Sequence, residues 1–158
     1  MPSLGQEAAR VRVRPVPDDE ALLLGALHLQ SLRRDGVEPD PGPPSHVQAF
    51  AAAWRSRSAD LPAWVAECDG QHVGLVLCRV PPLPLLGPGV PEVVALTCLG
   101  GSEEAVALAL VRTVVTWFGR QGHLSVDVAD DVRLPAAVLD AARADVLPRR
   151  RVSLPTRP

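Results

Sequence analysis

Residues Val11 to Val16 read VRVRPV, apolar on one face and arginine on the other, which is the period of a half-exposed strand. Asp18 and Asp19 follow as helix caps with Glu20 in the first turn, and ALLLGALHLQSLRRDG carries that helix to a stop at Gly36. The stretch VEPDPGPPS holds four prolines and is a loop, because proline lacks the N–H that a helix or ladder needs. Ser45 caps a second helix, HVQAFAAAWRSRSA, which Pro62 ends. AWVAECDGQHVGLVLCRV sets two apolar runs on either side of Asp69-Gly70, the signal of a tight hairpin. PPLPLLGPGVP is a rigid surface loop, and EVVALTCL, the most apolar run, is expected to be a central strand.

Behind Gly100 and Gly101, Ser102 caps a long helix with Glu103 and Glu104 in its first turn. Leu108, Val111, Val115 and Phe118 fall at helical spacing on one face, and Gly122 ends the helix. HLSVDV reads as a further strand and Leu134 to Val146 as a fourth helix with Pro135 near its first turn. RRRVSL is a short last strand. The order is β-α-α-β-β-β-α-β-α-β, with no repeat and no linker. The expected organisation is a disordered segment over 1–10, one α/β domain over 11–154 and a tail over 155–158.

A length of 158 residues suits one such domain. The hydrophobic share is 47% but aromatics are only 3%, so the core is built from Val, Leu and Ala. Net charge is −2, without the basic stripe of a nucleic-acid binder, and Arg149 to Arg151 read as a solvated end. Apolar runs are broken before they reach membrane-spanning length, and MPSLGQEAARVRVRP lacks the apolar run of a signal peptide. The expected location is cytoplasmic. The chain has no Lys, Asn, Ile or Tyr, residues with A/T-rich codons, which points to a GC-rich bacterial genome.

Cys68, Cys78 and Cys98 have no close spacing and read as buried free thiols. His28, His46, His72 and His123 show no metal-ligand spacing, so no metal site is expected. No nucleophile elbow, phosphate-binding loop or dinucleotide fingerprint occurs.

The element order from Val11 to about Leu154 resembles the GNAT superfamily of N-acetyltransferases. TWFGRQGHLSVDV is similar to that family's helix that contains a Trp, ends in Gly and is followed by a strand. The Asp69-Gly70 turn matches its hairpin between the second and third strands. The resemblance implies a mixed, mostly antiparallel sheet flanked by about four helices, with the family's final strand missing. It also implies a V-shaped opening where the fourth strand splays from the fifth, acetyl-CoA in that opening, and a helix N-terminus directed at the pyrophosphate. The implied cofactor-binding residues are Thr97, Cys98, Leu99, Gly100, Gly101, Ser102, Ala105 and Ala107. Glu92, which opens the fourth strand, is the implied base for the acceptor amine, with Glu67 and Asp127 as weaker carboxylates.

The departures from the family are specific. Its pyrophosphate loop runs Arg or Gln, two residues, Gly, one residue, then Gly or Ala. Those places hold Ser102, Glu103, Glu104, Ala105, Val106 and Ala107, of which Ala107 alone fits. Two carboxylates stand where phosphates arrive, while Gly100-Gly101 offers a shifted anion-binding turn. The Tyr that protonates the departing thiolate is replaced near Asp140, and the following Gly-Phe pair by about Ala144-Asp145. The resemblance thus implies an acyl-CoA-dependent N-acetyltransferase with impaired cofactor binding, acting on a small-molecule or peptide amine. The alternative is a non-catalytic GNAT-like domain that binds a ligand or partner, and the third reading is an unrelated α/β binding module. A missing final strand leaves an edge open to a second copy of the chain, as in a homodimer.

Overall fold

The computed structural model describes residues 10–57, 61–80 and 89–147. The P-x-x-P run from Pro81 to Pro84, Arg149 to Arg151, the expected last strand and residues 1–9 lie outside these described residues. Strand β1 is Arg12–Pro15, β2 Ala63–Cys68, β3 Gln71–Arg79, β4 Glu92–Cys98 and β5 Asp127–Val128. Helix α1 is Ala21–Arg34, α2 His46–Arg55, α3 Glu103–Arg120 and α4 Ala136–Ala142. The sheet order is β1-β2-β3-β4-β5, antiparallel from β1 to β4 and parallel between β4 and β5.

The hairpin turns where the sequence places it. Asp69 and Gly70 both adopt positive φ, 51° and 76°, the pair of left-handed residues that a two-residue turn needs. The sheet divides two cores. Val65, Leu75 and Leu77 face α1 and α2 with Leu24, Leu27 and Trp54. Trp64, Val76, Cys78 and Val93 face α3 and α4 with Leu110, Val114, Phe118 and Val138.

Five local expectations are corrected. Helix α4 ends at Ala142 rather than running to Val146, with Arg143 in a left-handed conformation after it. The buried face of α3 is Val106, Ala107, Leu110, Val111, Val114 and Phe118, while Val115 is 52% exposed. Two adjacent apolar stripes run along this helix, and the sheet takes the one that meets β2 and β3. Asp18 and Asp19 do not cap α1: they form a 3-10 turn with Glu20, which stands at the N-cap without a side-chain bond. Arginines take two of these acids, Arg57 pairing Asp18 at 2.8 Å and Arg14 pairing Glu20 at 2.7 Å. Helix α2 begins at Ser45 with a full capping box but ends at Arg55, well before Pro62. Arg57 folds back there, donating Nη1 to the Trp54 carbonyl at 2.7 Å with its guanidinium 3.4 Å above the Trp54 ring. Finally, the most buried strand is β3, because β4 is paired along its whole length on one side only.

Candidate functional site

Strands β4 and β5 meet at Glu92↔Asp127 and Val93↔Val128 and nowhere else. The Asp127 N–H donates to the Pro91 carbonyl at 2.8 Å and the Ala129 N–H to the Val93 carbonyl at 2.9 Å. From Val94 to Cys98, β4 has no pairing partner on that side among the described residues. The register with β3 slips at the same point. Cys78 faces Val93 and Leu77 faces Ala95, so Val94 is the extra residue of a bulge. A bulge bends its strand and raises its twist, which turns β4 away from β5.

The alternation of an antiparallel ladder decides which backbone groups face the gap. The Leu99 N–H donates to the Val73 carbonyl at 2.7 Å, so Leu99, and two residues earlier Thr97, turn to β3. Leu96 and Cys98 therefore turn their N–H and C=O groups to the gap. The Cys98 carbonyl accepts a hydrogen bond from Arg34 Nη1, at the end of α1. One helical turn earlier, Ser31 Oγ lies 2.8 Å from Thr97 Oγ1, and Ser31 is only 8% exposed. Ser31 and Arg34 share one face of α1 and hold it against the unpaired length of β4.

The Gly100-Gly101 turn leads into α3, with Gly101 at φ 72°, a conformation that favours glycine. The Ser102 side chain accepts from the Ala105 N–H at 3.4 Å, so the cap expected from the sequence is made. Glu103, Glu104 and Ala105 are exposed, whereas Ala107 is fully buried in the core, where its small side chain lets α3 pack closely. The Cys98 thiol points away from the gap to the Glu103 carbonyl at 3.6 Å, and burial, then the Glu103 charge, push its pKa up to about 11. Cys78 is pushed up to about 12 by burial alone.

Glu92 is half-buried at the other end of β4 and pairs with Arg79 at 2.6 Å. Both border a depression of about 360 Å³ shared with Val94, Ala129, Asp130 and Asp131. Asp127 stands opposite Glu92 on β5. Glu67 is elsewhere, on β2, bound to Arg14 at 2.7 Å and beside His72 at 3.4 Å; the Arg14 hydrogen bond holds its carboxyl below its ordinary range. Asp140 is exposed on α4. Among the described residues, no cluster of three or more His, Cys, Asp or Glu is arranged to hold a metal ion. No described helix is long and apolar enough to cross a membrane.

The structure thus gathers Thr97 to Ser102 at one end of the gap and leaves Glu92 at the other. Ser31, Arg34 and Leu96 are the site residues that sequence reading misses. Arg34 reads in sequence as an ordinary basic residue in the last turn of a helix, and nothing in its neighbourhood of the chain signals β4. Leu96 and Cys98 present backbone donors along the gap. At the start of α3, Ser102 takes the Ala105 N–H and two carboxylates stand exposed.

No protein-family model matches the sequence and no curated protein matches it. Solved structures do. A predicted acetyltransferase from Clostridium acetobutylicum, solved with acetyl-CoA, superposes with a TM-score of 0.72 at 12% identity, over 92% of this chain and 96% of that one. A ribosomal-protein-alanine N-acetyltransferase from Brucella melitensis biovar Abortus 2308 gives 0.67 at 16% identity, over 92% and 99%. The chain has the GNAT fold. An aminoglycoside N-acetyltransferase solved in complex with CoA shares the GNAT fold with it at a TM-score of 0.67 and 14% identity, over 97% and 99%. The described part of the chain supplies this fold's four helices and a five-stranded, mostly antiparallel sheet.

Proposed function

We propose that the protein is an N-acyltransferase that transfers an acyl group from acyl-CoA to an amine, with a weakened hold on the donor. The observation that carries this reading is the parting of β4 from β5 after Val93, which leaves backbone groups of Leu96 and Cys98 facing an open gap. The donor supplies an acyl thioester. The chain supplies N–H groups, fixed in a sheet and in no need of reorganisation, for hydrogen bonding to the thioester oxygen. Of the two gap-facing N–H groups, that of Leu96, nearer to Glu92, is placed for the thioester oxygen, and that of Cys98, farther along β4, meets the amide-bearing arm of the donor.

Glu92 lies four residues from Leu96, about 13 Å along an extended strand, and six from Cys98, about 20 Å. Glu92 therefore takes the proton of the acceptor amine through a chain of several waters rather than by contact with the reacting carbon. As the amide bond forms and the C–S bond breaks, the thiolate takes a proton from solvent, since the sequence has no Tyr to give one. Glu92, Asp130 and Asp131 outnumber Arg79 around one depression, which suits a cationic amine. Several solved neighbours are aminoglycoside N-acetyltransferases, and a polyamine or aminosugar is the acceptor class to try first.

Calorimetry with acetyl-CoA is the test. The expected dissociation constant is roughly 0.1 mM or above, about −5.5 kcal/mol or less favourable. A polycationic amine should then release free thiol from acetyl-CoA, and Glu92→Gln should slow that release. No binding and no thiol release at millimolar donor would sink the enzyme reading. The second reading, a non-catalytic ligand- or partner-binding domain, is favoured by Glu103 and Glu104 exposed in the first turn of α3, and that result would select it.

A further inference from the structure

The end of α1 carries the cation that the β4–α3 turn lacks. We propose that Arg34 is a phosphate-binding residue: it supplies the positive charge for the diphosphate end of the donor from the opposite side of the gap. The inference rests on the acyl-CoA reading of the gap and adds a residue to it.

Cys98 is the last residue of β4 and turns its carbonyl to the gap, and Arg34 holds that carbonyl. The guanidinium therefore sits where the gap meets Gly100-Gly101, at the phosphate end of a ligand whose acyl group lies nearer Glu92. A guanidinium has five N–H donors in a planar fork, and Arg34 engages one nitrogen with Cys98. Arg14, Arg33, Arg57 and Arg79 each pair with a carboxylate, but no carboxylate among the described residues lies within ion-pair distance of Arg34. The side chain is exposed, so its remaining edge is open to a ligand. Such a fork matches two phosphate oxygens at once.

The contact between Ser31 and Thr97, 2.8 Å long and largely buried, ties the preceding turn of α1 to β4. Together the two links hold the guanidinium in register with the gap before any ligand arrives, which lowers the ordering cost of binding. The same place explains a weak hold. Cys98 feels the charges of both Arg34 and Glu103, in opposite directions, so the cation works against a neighbouring carboxylate. With Glu104 also at hand, one cation stands against two acids.

The test is a set of NMR titrations of the full chain with acetyl-CoA, acetyl-pantetheine, which lacks the diphosphate, and inorganic pyrophosphate. Arg34→Ala should weaken acetyl-CoA and pyrophosphate binding by roughly tenfold, about 1.4 kcal/mol, and leave acetyl-pantetheine unchanged. Arg34→Lys should keep part of the affinity, as a point charge without the fork. Equal losses for acetyl-CoA and acetyl-pantetheine would overturn the proposal, because Arg34 would then merely position β4. Tighter acetyl-CoA binding in Arg34→Ala would overturn it too and make Arg34 an obstruction. Pyrophosphate bound and lost with Arg34, but acetyl-CoA never bound, would keep the anion site and sink the acyl-transfer reading. Acetyl-CoA bound equally by wild type and Arg34→Ala would do the reverse. A wild-type chain that binds none of the three probes removes both.

Discussion

Gly74 is the position where one methyl group should matter most. A Cβ built there lies 2.7 Å from Val106 Cγ1 and 2.9 Å from the Thr97 carbonyl. The Val106 methyl can give a little, but the Thr97 carbonyl is backbone of β4 and is fixed by the sheet. Gly74→Ala therefore wedges β3 against β4 and α3 together. Overpacking of this kind costs typically 1–3 kcal/mol, about the range expected here. Urea unfolding of wild type and variant reads it directly; a loss well under about 0.5 kcal/mol would mean that α3 slides outward freely. Sequence reading had no access to this constraint. Gly74 stands inside an apolar run, with no turn residue beside it, and the atoms it must admit come from α3 and β4.

Elements show where local signals were enough and where they were not. The Asp69-Gly70 hairpin, the Ser45 and Ser102 caps and the presence of four helices were legible, because each depends on residues within a few places of one another, although α4 stops at Ala142 rather than Val146. The end of α2 was not, because Arg57 rather than Pro62 terminates it. Nor was the shortness of β5: HLSVDV has strand composition, but only Asp127–Val128 finds β4 before the bulge turns that strand away. His28 and His46 show the same limit. They lie on α1 and α2, with Nδ1 of one 2.9 Å from Nε2 of the other, and both rings pack near Phe50. Burial first, and the neighbouring His46 second, hold His28 below its ordinary value of 6.5. The unfolded chain then binds a proton at His28 more readily than the folded one. That contribution to stability is present above about pH 6.5 and is lost as pH falls below it. Wild type should lose more Tm than His28→Leu between about pH 7.5 and 5.5. Parallel losses in the two proteins would place the acid sensitivity elsewhere. The start of α3 offers a second test. Ser102→Arg with Glu103→Gly and Ala105→Gly removes one repelling charge, adds an attracting one and frees backbone N–H groups. Acetyl-CoA affinity should rise roughly tenfold, about 1.4 kcal/mol, at a cost in helix stability of about 1 kcal/mol per added glycine. Asp140→Tyr alone should change affinity little, since a proton donor on α4 does not hold the ligand. Equal, poor binding by all of these folded variants would show that the turn does not limit binding.

At the scale of the molecule, the order of elements follows from patterns that the sequence carries, and the parting of β4 from β5 is what the family resemblance implied. The links that shape the gap do not. Ser31 meets Thr97 across 66 positions and Arg34 meets Cys98 across 64, contacts that no local period encodes. The two cores on either side of the sheet also have a practical consequence. With three Trp and no Tyr, the ultraviolet fluorescence of this protein is all indole. Trp54 belongs to the layer under α1 and α2, capped by a guanidinium, while Trp64 and the partly exposed Trp117 meet edge to face on the α3 side. The chain thus carries one lamp in one half and two in the other. Replacing Trp54 with Phe darkens the first half, replacing Trp64 and Trp117 together darkens the second, and the colour and brightness of what remains then report which half loosens first in acid and whether a ligand at the gap stiffens one side or both.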